Sequence, residues 1–448
     1  MLVVGSSCNK DEDSAEKFST LSVEANKAVV EASGTDFVKV MTRMQTIQTV
    51  DLIAYLGDLM SSKNSTGFLF SQDSKIAATL NAFTSVADGE KEFKAVFDAM
   101  ISSKGLIEDP ESLKEFWDSN VGTYTWNKTI SDWNIALGGD KFIFKFPSSN
   151  VATTNDATFT VSNYTGVKIS NPVDDEYTGD LPASINADLK VGTKTLITYV
   201  FAASYNSDGV PKAIASDLVI EGYKFEVDIT NDSKVVSAAY KFFENDKVVM
   251  DMSASGKGLF TDSNYNANTV THTETHGYYD WVWSPTLGRY VETWVTYTDE
   301  WKETDFEEII NSASVSFQLF NIALRGDISI KELVDQMKLI EKDLENKVIN
   351  DETAQNRYAV KINEFLNLRL VDVAKNEIMA IAEAYVVKEI NYGYTDFYIN
   401  FRLKFSDGSP IDLETYFDKG FEDFIDAMND LILDINSEHD LDISPIDY

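Results

Sequence analysis

The sequence predicts an α+β fold, with an antiparallel β-meander sheet covered by N-terminal and C-terminal helical blocks. Three observations carry this. Apolar residues near both ends recur at helical spacing, the middle alternates apolar and polar residues, and short turn clusters punctuate that middle. Segregated runs of helices and strands favour α+β over a parallel α/β arrangement. At 448 residues the chain can bury a sizeable core without disulfides.

In chain order, residues 1–17 read as a shortened export signal and acidic tether, and 18–120 as a helical region. Leu21, Val23, Ala28, Val29 and Val30 lead to Gly34, a natural helix C-cap. Phe37, Val38, Val40, Met41, Met44, Ile47 and Val50 then follow with near-helical spacing. Asp109-Pro110-Glu111 has the form of an N-cap with Pro at the first helical position, opening a helix through Leu113, Phe116 and Trp117. Residues 121–303 form the antiparallel β region. Its runs are Tyr124–Trp126, Phe142–Phe146, Ile185–Val191, Thr195–Tyr205, Ala213–Ile220, Lys224–Thr230, Val235–Phe243 and Lys247–Ala254, followed by an aromatic hairpin over 278–298. Gly192, Asn206–Gly209, Glu221-Gly222, Asn231-Asp232 and Asn245-Asp246 supply the turns. Asp262–Thr275 reads as a polar loop. Residues 304–448 are expected to be helical to about Val387, with a late alternating strand at Phe397–Phe405 and a final helix over Leu413–Ile435.

The formal charge is −35, from 73 acidic and 38 basic residues. Such a chain repels polyanions, which excludes nucleic-acid binding through phosphates and disfavours a basic contact with anionic lipid. One cysteine allows no intrachain disulfide and no Cys-based zinc site.

That cysteine closes Leu2-Val3-Val4-Gly5-Ser6-Ser7-Cys8, an apolar run and small residues before Cys, the pattern that lipoprotein signal peptidase reads. Cys8 is the expected lipidation site, although no basic residue precedes the apolar run. The following Lys10, Asp11, Glu12 and Asp13 resemble the export signal of surface lipoproteins of Bacteroidota, and Asp13-Ser14-Ala15 resembles their O-glycosylation sequon, with Ser14 the acceptor. The Trp-rich stretch from Trp126 to Phe144-Lys145-Phe146-Pro147 adds to a resemblance to uncharacterised lipoproteins of that group. The resemblance implies an outer-membrane, lipid-anchored address on the cell surface, with a periplasm-facing orientation as the alternative, and brings no activity with it. No other apolar stretch approaches the ~18 residues that a spanning helix needs.

Three histidines (His272, His276 and His439) leave little material for a Ser–His–Asp or Cys–His centre. His272-Thr273-Glu274-Thr275-His276 has the residue types of a zinc motif, but its alternating threonines favour a strand that holds the two imidazoles roughly 13 Å apart. Asp262, Asn264, Asn266 and Asn268 place oxygen donors at alternate positions, as calcium loops do. The Gly and Glu that such loops use are Ala267 and Thr273 here. No cofactor is expected, calcium at this turn being the alternative. Gly256-Lys257-Gly258 is too short for a phosphate loop.

Tyr279, Trp281 and Trp283 alternate, so they share one face of a strand, and Tyr290 and Trp294 return on its partner. These five rings are the candidate ligand-binding residues, for a glycan, a lipid or a protein. The resulting expectation is a non-catalytic, lipid-anchored binding protein of the cell surface. The alternatives are a glycan-processing enzyme using paired carboxylates, which the 73 acidic residues do not let sequence single out, and a purely structural envelope protein.

Overall fold

The computed structural model describes residues 17–45, 113–169, 179–391 and 394–417 continuously, with scattered positions between 47 and 59 and between 424 and 433. Cys8, Lys10, Asp11, Glu12, Asp13, Ser14, the Asp109-Pro110-Glu111 N-cap and His439 lie outside these residues.

The first elements are β1 (Lys17–Phe18), α1 (Val23–Gln45) and α2 (Leu113–Asn120). A run of strands follows: β2 (Gly122–Asn127), β3 (Asp132–Leu137), β4 (Phe142–Phe146), β5 (Ala157–Ile169), β6 (Gly179–Val191), β7 (Lys194–Tyr205), β8 (Pro211–Ile220), β9 (Tyr223–Asn231), β10 (Val235–Glu244) and β11 (Lys247–Gly258). A short helix α3 (Asp262–Ala267) leads into β12 (Thr269–Ser284) and β13 (Arg289–Thr304). Then come β14 (Ile310–Leu319), β15 (Ile322–Ile328), α4 (Ile330–Glu345), α5 (Asp351–Phe365), β16 (Leu366–Asp372), β17 (Glu377–Asn391), β18 (Tyr394–Lys404), β19 (Pro410–Asp412) and α6 (Leu413–Phe417).

Among the described residues, seventeen strands join one mixed sheet, and β12 and β13 form a second, two-stranded one. From β4 to β11 each strand pairs antiparallel with the next. The ladder then runs β11–β14–β15–β16–β17–β18–β19. Parallel contacts occur between β2 and β4 and between β1 and β17. The two-residue turns at 192–193, 221–222 and 245–246 only let the chain fold back beside itself. At Asn245-Asp246 both residues take positive φ, 47° and 64°, the type I′ geometry whose twist matches that of the strands.

Register sorts the side chains into two faces. One row reads Tyr199, Leu218, Phe225, Phe242, Met250, Leu319, Ile322, and the adjacent row, on the opposite face, reads Val200, Asp217, Glu226, Lys241, Asp251, Gln318. The apolar side meets helix α1. Val40 is buried with Tyr223, Phe242 and Val249, while Val23 and Val30 lie against Ala380, Leu403, Phe405 and Tyr416. The 23-residue helix is roughly 34 Å long, about the seven inter-strand spacings between β9 and β18. A third cluster places Leu52, Leu56 and Leu59 on Tyr124, Trp126, Trp133, Phe142, Phe144 and Phe146. The Trp-rich stretch is therefore core, its two indoles meeting edge to face at 5.4 Å.

Three expectations are corrected. Gly34 does not end a helix: α1 runs through it, and the Phe424 ring lies where a Cβ would stand, 2.6 Å away, so the glycine serves close approach. Residues 310–328 and 366–391 are strands, not helix. Val315, Phe317 and Leu319 alternate with Ser314, Ser316 and Gln318, and an apolar set at period two also fits a helical template over a short window. The Ala-rich β17 has helical propensity that strand pairing overrides. The described C-terminal region is thus largely sheet, and the helices that return there are chiefly the α4–α5 pair between β15 and β16. The late strand is present as β18; the final helix is described as α6 and as helical positions between 424 and 433.

One edge is closed by a side chain. The β16–β17 register stops at Arg369–Ile381, and among the described residues no strand pairs with later β17 residues on that side. Asn363 of α5 fills the gap: its Nδ2 donates to the Ala384 carbonyl at 2.8 Å and its Oδ1 accepts from the Ala384 N–H at 2.7 Å.

Candidate functional site

The β12–β13 hairpin is an insertion. Strands β11 and β14 pair with each other, so residues 259–309 leave the sheet and return to the same turn. The excursion is sealed at its base by Leu259 N–H to the Ile309 carbonyl (2.9 Å), Asp305 N–H to the Asn268 carbonyl (2.9 Å) and a Thr269–Thr304 hydroxyl contact (2.9 Å).

The polar segment expected to be a loop is helix α3 followed by strand. Thr261 caps α3, accepting from Asn264 N–H, as a β-hydroxyl does at an N-cap. The calcium-like donors are held in local bonds: Asn264 Nδ2 donates to the Leu259 carbonyl and Asn268 Nδ2 to the Asn264 carbonyl. Asp262 opens α3 and Asn266 lies within it.

Strand pairing extends through all sixteen residues of each strand, longer than the 278–298 hairpin expected. The turn spans residues 285–288, with Gly288 at φ 57°, a left-handed conformation that suits glycine. Register sets Trp283 opposite Tyr290, Trp281 opposite Glu292 and Tyr279 opposite Trp294. All five predicted rings therefore share one face near the tip, and each is more than half exposed, from 51% at Trp283 to 66% at Tyr279. Trp283–Tyr290 and Tyr279–Trp294 meet edge to face, at 5.3 and 4.9 Å. These cross-strand pairs hold the ribbon while leaving the outer ring surfaces bare.

Gly277 was not singled out from sequence. A Cβ there would overlap the Trp294 indole, so the glycine is the slot in which that ring lies. The signal was legible once register was known, because Gly277 sits on the same face and one pair from Tyr279–Trp294.

The other face differs. His272 stacks on Trp301 at 5.4 Å, with Nε2 2.9 Å from Glu303, and His276 lies 3.5 Å from Asp299 and 3.6 Å from Glu274. Tyr297 and Trp301 thus belong to this face, not to the five-ring cluster. The strand keeps the histidines on separate carboxylates, and among the described residues no group of three His, Cys, Asp or Glu is arranged to hold a metal.

Elsewhere, a cavity of about 330 Å³ opens on the polar side of the sheet, lined in part by Ser255, Lys257, Ser314, Asp327 and Phe365. Among the described residues, the carboxylates with displaced pKa values (Asp156, Asp232, Glu244, Glu307, Glu383 and Asp407) are shifted down. Hydrogen-bond donors hold them ionised, with Arg43 on Glu244 and Arg402 on Glu383.

No family model, curated protein or solved structure matches the chain. What the site can do follows from its own chemistry. Bare aromatic rings on a rigid ribbon bind by stacking and burial. No helix among the described residues is long and apolar enough to cross a membrane.

Proposed function

We propose that this is a lipid-anchored protein of the Bacteroidota cell surface that binds a ligand or partner without catalysis through its aromatic hairpin. Five half-bare rings gathered on one face of an inserted ribbon support this reading above all else. Burying one such ring can contribute about 1.5–3 kcal/mol, and neighbouring core packing does not claim these five. The address rests on the Leu2–Cys8 segment and the Lys10, Asp11, Glu12, Asp13 run. In the same reading helical segments from both ends cover the apolar side of the sheet, leaving the hairpin as the outward surface.

Because β11 and β14 already pair, residues 259–309 can be replaced by a two-residue Asn-Gly turn joining Gly258 to Ile310. Binding to envelope glycans, lipid vesicles and envelope proteins is then compared between the two chains. Loss of binding with an unchanged far-ultraviolet spectrum of the remaining fold is expected. Equal binding without the hairpin overturns its role. For the address, cells are fed a labelled fatty acid; label carried by the protein and lost in Cys8→Ala is expected, and an unlabelled wild-type protein refutes the anchor.

A further inference from the structure

We infer that the distal half of the hairpin lies on the interface of a neutral lipid bilayer, aromatic face down, as a reversible membrane contact. The inference rests on the reading of the hairpin as a binding surface, and not on acylation of Cys8.

Polarity is sorted along the ribbon's length. The basal rows of the aromatic face carry Thr271, Thr273 and Thr275 opposite Lys302, Glu300 and Thr298. The distal rows carry the five rings, with Glu292 the one charge among them. Beyond them the turn Pro285-Thr286-Leu287-Gly288 is uncharged, and Leu287 is 58% exposed. The reverse face is mixed: Val282–Val291 lies between Ser284–Arg289 at the turn and Asp280–Thr293 behind it. A polar stem ending in a one-sided aromatic tip with a single charge among its rings, beside an uncharged turn, suits an element that rests that face on an apolar boundary. Trp and Tyr favour the bilayer–water boundary because their rings are apolar and their N–H or O–H groups stay hydrated.

The geometry also limits depth. A two-stranded ribbon has two open edges, whose N–H and C=O groups cannot be left unsatisfied in hydrocarbon. Lying flat, the ribbon seats its rings about 5–10 Å into the interface while water and headgroups satisfy both edges. Charge selects the lipid: Glu274, Asp280, Glu292, Asp299, Glu300 and Glu303 outnumber Arg289 and Lys302, so an anionic surface repels the hairpin.

The test uses the full chain carrying Cys8→Ser, so that no acyl anchor contributes, with phosphatidylcholine vesicles. Co-flotation is expected, with a blue-shifted tryptophan emission that brominated acyl chains quench. Trp281→Ser/Trp283→Ser should weaken partitioning by about tenfold or more at unchanged circular dichroism. Adding phosphatidylglycerol should weaken it further for the Cys8→Ser chain. Absence of flotation, flotation indifferent to the tryptophans, or tighter binding to anionic vesicles each overturns the bilayer assignment. Hairpin-dependent binding to a soluble glycan or an envelope protein, without flotation, also overturns it while the broader reading of the hairpin stands. If no probe distinguishes the hairpin-free chain, both fall.

Discussion

At the residue scale, single side chains explain features that composition obscures. Gly277 is retained by the indole above it. Gly277→Ala should push Trp294 out of its slot and loosen the distal ribbon, read as a red-shifted emission that is absent when the change is made in a Trp294→Phe background. An unaltered spectrum would mean that the ring does not depend on the slot. Arg43 makes a two-pronged contact with Glu244, Nε to Oε1 at 2.8 Å and Nη2 to Oε2 at 2.7 Å, tying α1 to the end of β10. Arg43 is half exposed, so solvent limits the pair to about 1 kcal/mol. The hydrogen bonds from Arg43 hold the Glu244 carboxyl below its ordinary range. A carboxylate depressed in the folded state stabilises above its unfolded pKa and loses that contribution as pH falls through its folded one. Arg43→Ala should therefore be less stable than the parent at pH 7 and indistinguishable from it once Glu244 is protonated; urea titrations at both pH values decide this.

At the element scale, the open edge of β17 shows what one amide can do. Asn363→Leu leaves the Ala384 N–H and carbonyl without their partner and should destabilise by about 1–3 kcal/mol, measured by denaturant unfolding. Asn363→Asp should recover part of that loss, since it can still accept from Ala384 N–H. The strands from β6 to β11 were legible because Gly192, Glu221-Gly222 and Asn245-Asp246 mark two-residue turns between alternating runs. Strands β14 and β17 were not, because Ser/Val alternation and an Ala-rich run satisfy a helical template as well as an extended one, and only the neighbouring strand decides. The five rings of the hairpin were found from alternation. Their separation from Tyr297 and Trp301 needed the register of the turn.

At the scale of the whole molecule, buried and half-buried tyrosines set an upper limit of pH. Burial pushes Tyr124, Tyr240 and Tyr416 up to about 12, and Tyr205 higher. Unfolded, these phenols ionise near their ordinary value, so folded stability is intact below about pH 10 and is lost as pH rises toward 12. Spectrophotometric titration should show these phenols ionising late and together with loss of near-ultraviolet ellipticity; smooth ionisation at pH 10 with the fold intact would contradict their burial. The path of α1 also dictates an order of assembly. Sheet pairing is mostly between sequence neighbours, so strands can zip as they appear, with low local contact order. Val23 and Val30, however, rest on Ala380, Leu403 and Phe405, residues synthesised some hundreds of positions later. The first helix of the chain must therefore wait, its apolar stripe bare, until the last strands exist. Until then that waiting stripe is a natural handle for a holding chaperone, and a chain ending before β17 would fold its meander yet never retire the handle.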